Sequence, residues 1–148
     1  GLRSELSYKK WSFILNGYGL YGHKIYNNTA NATVGLGNLG KGNVDKRFIG
    51  TGESVGNAPS ASSRYIEKGD FFRLANATLS YDLGNVGETL KGVNIFVTGN
   101  NLFVITKYTG FDPEVNTNKQ IDGVASQGIE YTPYPSSRSF LAGFRVSF

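Results

Sequence analysis

Apolar and polar residues alternate in several stretches of this chain. Leu2, Ser4, Leu6 and Tyr8 interleave with Arg3, Glu5, Ser7 and Lys9, and after Lys10 the alternation resumes at Trp11, Phe13, Leu15 and Gly17. A period of two belongs to a strand with two unlike faces, so this segment predicts two strands and a tight turn. The strongest signal lies in YIEKGDFFRLANATLSYDL. There Phe71, Ala75, Ala77, Leu79, Tyr81 and Leu83 share one face, and Asn76, Thr78, Ser80 and Asp82 the other. GNVGETLKG predicts a short turn into VNIFVTGNNLF, where Val93, Ile95 and Val97 oppose Asn94, Thr98 and Asn100. In RSFLAGFRVSF, Phe140, Ala142, Phe144, Val146 and Phe148 occupy every second position. Arg73 dissents, because it falls on the apolar register of its strand; it is expected at an outer rim, or displaced by a bulge near Gly69.

Between these strands the pattern lapses twice, over about 22–63 and about 106–136, both rich in Gly, Asn, Thr and Ser. Short turns and long loops therefore alternate. In an up-and-down antiparallel sheet that alternation gathers the short turns at one edge and the long loops at the other, as in outer-membrane barrels. Aromatics cluster where interfacial girdles are expected: Tyr8, Trp11, Tyr81 and Phe148 at the short-turn edge, Phe71, Phe103 and Phe140 toward the other. The fold class expected is all-β. About five strands cannot close, since the smallest membrane barrels have about eight, and an edge open to lipid leaves backbone groups unpaired. The remaining strands are expected before Gly1, with the C-terminus periplasmic and the long loops extracellular.

Composition argues against an ordinary core. Only 39% of the 148 residues are hydrophobic but 14% are aromatic, and 20 are Gly. No run approaches the ~20 apolar residues of a membrane helix, and no signal pattern opens the chain; a barrel strand needs only about 9–11 residues. The net charge of +4 is scattered, which gives no nucleic-acid footprint, and the absence of Cys excludes disulfides and thiolate metal sites.

Candidate chemistry is sparse. Gly35, Gly37 and Gly40 spell GxGxxG, but no strand precedes and no helix follows, so the dinucleotide reading fails and no cofactor is expected. Asp112, Glu114, Asn116, Asn118 and Asp122 space oxygen atoms, yet Thr117 and Gly123 stand where a calcium-binding EF-hand loop needs Gly and Glu. His23 is the single histidine, and Ser60, Ser62 and Ser63 have no partner base, so no enzyme is expected. Sequons begin at Asn27, Asn31 and Asn76 and are incidental in a bacterial outer membrane. The loop aromatics Tyr108, Phe111, Tyr131 and Tyr134 are candidates for stacking on a ligand or packing against a partner.

The blocks SSRYIEKGDFFRLANATLSYDLG, VNIFVTGNNLFVITKYTGFDPEV and GIEYTPYPSSRSFLAGFRVSF, in this order and spacing, resemble the C-terminal part of the SusC/RagA-type TonB-dependent outer-membrane transporters. ELSYKKWSFILNGYGLYGHKIYN resembles the hairpin before them. The resemblance implies the C-terminal part of a large transmembrane barrel of about 22 strands, with a plug domain and TonB-contacting segment lying outside these residues. It also implies nutrient uptake, of oligosaccharide or peptide, with a SusD-like surface lipoprotein. The stripe Phe140, Phe144, Val146 and Phe148 resembles the C-terminal signature read by barrel-assembly machinery. The competing reading is a soluble all-β carbohydrate-binding module, which would bury its apolar faces against each other.

Overall fold

The computed structural model describes residues 1–56, 60–115 and 127–147. Along the chain the elements are β1 (Leu2–Tyr8), β2 (Trp11–Leu20), β3 (Lys24–Asn27), α1 (Asn28–Thr33), β4 (Ile66–Lys68), β5 (Phe71–Val86), β6 (Leu90–Thr106), β7 (Ile129–Glu130) and β8 (Ser139–Ser147). They form two compact units.

The first unit is a five-stranded sheet in the order β1-β2-β5-β6-β8, an up-and-down meander in which neighbours in sequence order pair. Lys9, at φ 53°, turns β1 into β2, and Asp82 donates its backbone N–H to the Lys10 carbonyl at 2.8 Å, continuing the pairing beyond the turn. The two faces differ as the alternation predicts. On one, Asn16 Nδ2 donates to Asn76 Oδ1 at 2.8 Å, the Thr78 and Thr98 hydroxyls meet at 2.8 Å, and Asn100 Nδ2 donates to Ser139 Oγ at 3.3 Å. A hydrogen-bonded polar row thus crosses β2, β5, β6 and β8.

On the opposite face, Tyr8 pairs with Trp11, and the Trp11 ring packs on Tyr81 with centroids 4.6 Å apart. Phe13 pairs with Leu79, Val97 with Ala142 and Ile95 with Phe144. Leu6, Leu79, Ile95, Val97, Phe140 and Phe144 are all exposed, Phe144 at 75%. Aromatic rings cover the two glycines of the β6–β8 ladder: a Cβ on Gly143 would come within 2.8 Å of the Phe96 ring, and one on Gly99 within 3.2 Å of Phe140. Such cross-strand pairs supply the contact area that glycine lacks.

Arg73 is where the structure departs from the simple alternation. Asn16 pairs with Asn76 but Gly17 pairs with Leu74, so Ala75 has no partner and forms a β-bulge. The bulge lies at Ala75, not near Gly69. Beyond it Tyr18 pairs with Arg73 and Leu20 with Phe71, which turns both residues onto the polar face. Arg73 is 5% exposed; its guanidinium donates to Asn101 Oδ1 and sits 6.0 Å from the Phe71 ring centroid. Phe71 meets Tyr18 edge-on at 6.0 Å, so its expected place in an apolar girdle is corrected as well. Residues 66–68, read from sequence as the start of this strand, pair elsewhere, with β3.

The second unit consists of the excursions Tyr21–Asp70 and Thr106–Pro135. Its sheet has the order β4-β3-β7, with β3 antiparallel to β4 and parallel to β7. Phe48, Tyr65 and Ala30 form a small buried cluster against Tyr26, Val34 and Leu36. No helix is long and apolar enough to cross a membrane, a statement that says nothing of a β-barrel.

Deleting Ala75 removes only the extra residue: Asn76 stays opposite Asn16 and Leu74 opposite Gly17, so Arg73 keeps its place on the polar face. The deletion should change the stability of the intact protein by under about 1 kcal/mol, whereas deleting Ala77, which absorbs the bulge and moves Asn76 to the apolar face away from Asn16, should destabilise it by about 2 kcal/mol or more. Denaturant midpoints of both variants check this.

Candidate functional site

Two excursions far apart in sequence become one unit through polar side chains rather than a large core. Asn27 ends β3 and caps α1, its Oδ1 accepting the Ala30 N–H at 2.9 Å, because an Asn side chain mimics the carbonyl that the first helical turn lacks. The Asn27 amide donates to Glu67 Oε1 at 3.0 Å. Glu67 in turn accepts from the Thr109 hydroxyl at 2.7 Å and the Thr109 N–H at 2.9 Å. Thr29 N–H donates to Glu130 at 3.3 Å, and its hydroxyl accepts the Thr132 N–H at 2.7 Å. Glu130 is 1% exposed, and its Oε1 has no hydrogen-bond partner among the described residues.

A polar cleft of about 310 Å³ opens beside α1. Its walls include Asn31, Gly35, Thr51, Glu53, Arg64 and Tyr65. Ser62 caps the 3-10 turn at 63–65 and so fixes Arg64, whose guanidinium reaches Glu53 Oε2 at 3.1 Å and Thr51 Oγ1 at 2.8 Å. The same guanidinium lies 4.5 Å from the Phe48 ring centroid, a cation–π contact that joins the cleft to the buried cluster. Burial, with the Glu53 carboxylate second, pushes the pKa of Tyr65 above its ordinary value, so its phenol stays protonated. Asn31 is 9% exposed, and its Oδ1 is buried without a hydrogen-bond partner among the described residues. Nearby, the hydrogen bond from the Arg47 backbone N–H is the largest influence holding the Asp45 carboxyl below its ordinary pKa, and the Asp45 carboxylate also accepts from the Arg47 side chain at 2.8 Å.

The sequence candidates separate on this scaffold. Phe111, Tyr131 and Tyr134 are exposed, but Tyr108 is 6% exposed and packs inward, its ring over Gly110. Tyr108 is therefore a core residue and not an outward contact. Phe140 and Phe144 lie exposed on the sheet's apolar stripe with Val146, while Phe148 lies outside the described residues. The GxGxxG stretch folds into a short 3-10 turn at Leu36–Asn38, and Gly35 and Gly37 line the cleft. Asp112 accepts the Glu114 N–H at 2.9 Å in a tight turn; Asn116, Asn118 and Asp122 lie outside the described residues. Among the described residues no three acidic or imidazole groups gather as for a metal. His23 packs its ring over Gly69 and accepts the Gly69 N–H at its own carbonyl. Of the sequon asparagines, Asn27 and Asn31 are buried, and Asn76, half-buried on the polar face, accepts from Asn16. Sequence reasoning missed Asn31, Glu53, Arg64 and Tyr65, which carry no shared spacing.

No protein-family model matches the chain. It is 30% identical over 173 aligned residues to the TonB-dependent receptor SusC of Bacteroides thetaiotaomicron, covering all of this chain and 15% of that receptor. TonB-dependent receptor P3 of Formosa agariphila is 35% identical over 92 residues, 59% of this chain and 9% of its own length. The solved RagAB peptide importer matches in its open-open state with a TM-score of 0.77, at 28% identity over 96% of this chain and 16% of the matched chain. Its closed-closed state gives 0.78. The chain spans about a sixth of the length of SusC and of the matched importer chain.

Burial, reinforced by the Glu130 and Glu67 carboxylates, holds the pKa of Tyr108 well above its ordinary 10.0, and its hydroxyl has no hydrogen-bond partner among the described residues. A raised phenol pKa stabilises the fold fully below the unfolded value, and the contribution is lost as pH climbs past it, because the unfolded chain ionises first. Tyr108→Phe should match or exceed the parent by up to about 1 kcal/mol at neutral pH. Above about pH 10 the variant should escape a loss that the parent suffers, read as denaturation midpoints against pH.

Proposed function

This chain is a SusC/RagA-type segment of a TonB-dependent receptor barrel, and from that premise we propose that it serves outer-membrane uptake of a nutrient, an oligosaccharide or a peptide, in a receptor working with a SusD-like surface lipoprotein. The observation that carries the reading is the pairing of a hydrogen-bonded polar face with an exposed, continuous apolar face on one sheet. A soluble module would bury that apolar face, because monomers in water rarely leave a patch of this extent uncovered. In lipid it needs no cover.

On this reading Trp11, Tyr81, Leu79, Ile95, Val97 and Phe144 meet hydrocarbon, and Asn16, Asn76, Thr78, Thr98 and Asn100 line the aqueous lumen. The outer edges of β1 and β8 pair with further barrel strands, since backbone groups in hydrocarbon must all be bonded. The short turns lie at the periplasmic side and the two excursions face the cell exterior, where Phe111, Tyr131 and Tyr134 are available to cargo or to the lipoprotein. TonB engages through a plug region beyond these residues. The stripe of Phe140, Phe144 and Val146, with Phe148, serves recognition by the assembly machinery. No bond chemistry is needed.

In an otherwise Cys-free receptor, single cysteines at Ile95, Val97 and Phe144 should resist a membrane-impermeant maleimide in outer-membrane vesicles. Cysteines at Asn94 and Thr98 should react. Equal labelling of both faces would remove the membrane-spanning reading. Replacing Phe111, Tyr131 and Tyr134 together by Ala should lower cargo uptake by about tenfold with unchanged receptor levels, the scale of losing aromatic anchors at an interface.

A further inference from the structure

We propose that the cleft walled by Asn31, Gly35, Thr51, Glu53, Arg64 and Tyr65 binds one neutral hexose unit of the cargo. The inference deepens the uptake reading and rests on it for the source of the ligand; the choice of ligand class comes from the side chains themselves.

The cleft has charge but none to spare. Arg64 and Glu53 neutralise each other at 3.1 Å, and the second guanidinium nitrogen is held by Thr51. An anionic or zwitterionic ligand would have to give up its hydration for a site that offers no free counter-charge. What remains open is neutral hydrogen bonding. The Asn31 Oδ1 acceptor is buried and unpartnered, and neither Glu53 Oε1 nor the Tyr65 phenol makes a hydrogen bond among the described residues. A buried acceptor left idle is unusual enough to call for a ligand or water that donates to it. Each hydroxyl of a sugar can donate and accept at once, so one hydroxyl can donate to Glu53 while its neighbour accepts from Tyr65, and Asn31 Oδ1, closed to solvent as it stands, joins them once its amide turns toward the cleft.

Shape and polarity narrow the class further. The nonpolar bodies of Phe48 and Tyr65 are turned into the buried cluster, which leaves no apolar subsite for peptide side chains. At about 310 Å³ the cleft lies at the small end of small-molecule sites, about 300–1,000 Å³, and suits a single ring. Gly35 keeps it open: a Cβ there would stand 3.1 Å from Glu53 Oε1.

The test is ligand-observed NMR titration of the intact receptor in detergent with D-glucose, D-galactose, D-mannose, D-glucuronate and diglycine. At least one neutral hexose should bind in the millimolar range, with glucuronate and diglycine at least about tenfold weaker. Asn31→Ala and the isosteric Glu53→Gln should each weaken the hexose about tenfold, equivalent to about 1.4 kcal/mol. Ser60→Trp, placed on the exposed wall and touching neither ion-pair partner, should block binding with an unchanged melting temperature. Binding of no neutral hexose, stronger binding of diglycine or glucuronate, or hexose binding indifferent to all three variants would overturn the proposal. Growth on the receptor's cargo is scored separately. Growth without hexose binding defeats the cleft and leaves uptake intact; hexose binding without growth supports the cleft and defeats uptake.

Discussion

Register between β2 and β5 is the constraint on which the sheet's two faces depend. A strand that faces two unlike solvents has no freedom to slip, because one residue of displacement exchanges every side chain between them. Here the slip is built in, once, at Ala75. On one side of it, Ala77, Leu79 and Tyr81 continue the apolar stripe through their pairs Leu15, Phe13 and Trp11; on the other, Arg73 and Phe71 pair with Tyr18 and Leu20 on the polar face. An arginine facing hydrocarbon near the midplane would cost about 2–4 kcal/mol. The unpaired backbone of one small residue is a lesser penalty, and Asn101 then supplies the guanidinium with an acceptor. Asn101 itself lies at φ 51°, so the backbone of β6 is also bent where it meets Arg73.

The second unit solves a different problem. Its apolar cluster is too small to organise some 80 residues, and composition explains why: the excursions are Gly, Asn, Thr and Ser rather than Leu and Val. Carboxylates and amides take over. Glu67 alone receives hydrogen bonds from Asn27 and from two atoms of Thr109, and bonds to a charged acceptor contribute about 1.5–3 kcal/mol each before the desolvation of the carboxylate is subtracted. Removing such a group would leave several donors unsatisfied together, which is why polar networks of this kind fail as a whole.

Periodicity made the five sheet strands legible because each has one polar and one apolar face, and a period of two survives in the sequence when two solvents enforce it. The position of Arg73 was only half legible. Its conflict with the stripe signalled a bulge, but nothing in FFRLANAT distinguishes Ala75 from Gly69 as the extra residue; only pairing with β2 does. β3, α1 and β7 left no periodic trace since they are short and pair across about 100 residues of chain. Tyr108 looked like its neighbours Phe111 and Tyr131, and its burial follows from a third dimension that loop composition does not encode. The cleft residues were invisible for the same reason: Asn31, Glu53, Arg64 and Tyr65 come together through a 3-10 turn and a six-residue helix.

Both ends of the excursion from Tyr21 to Asp70 are tied to strands, Leu20 pairing with Phe71. Loop closure then becomes inexpensive to extend, since each doubling of length adds only about 0.6 kcal/mol. Strand residues have no such latitude, because lipid on one face, water on the other and full backbone pairing fix their number, alternation and register together. Variation in cargo chemistry is therefore expected to accumulate in the excursions, where a cleft can be assembled from Asn, Thr, Glu, Arg and Tyr without disturbing a single strand pair. The Ala75 bulge lies four residues inside the start of β5 and turns Phe71 and Arg73 away from the apolar stripe at the edge from which that excursion departs. Polar chemistry at this edge thus requires a local break in the alternation that the rest of the sheet obeys.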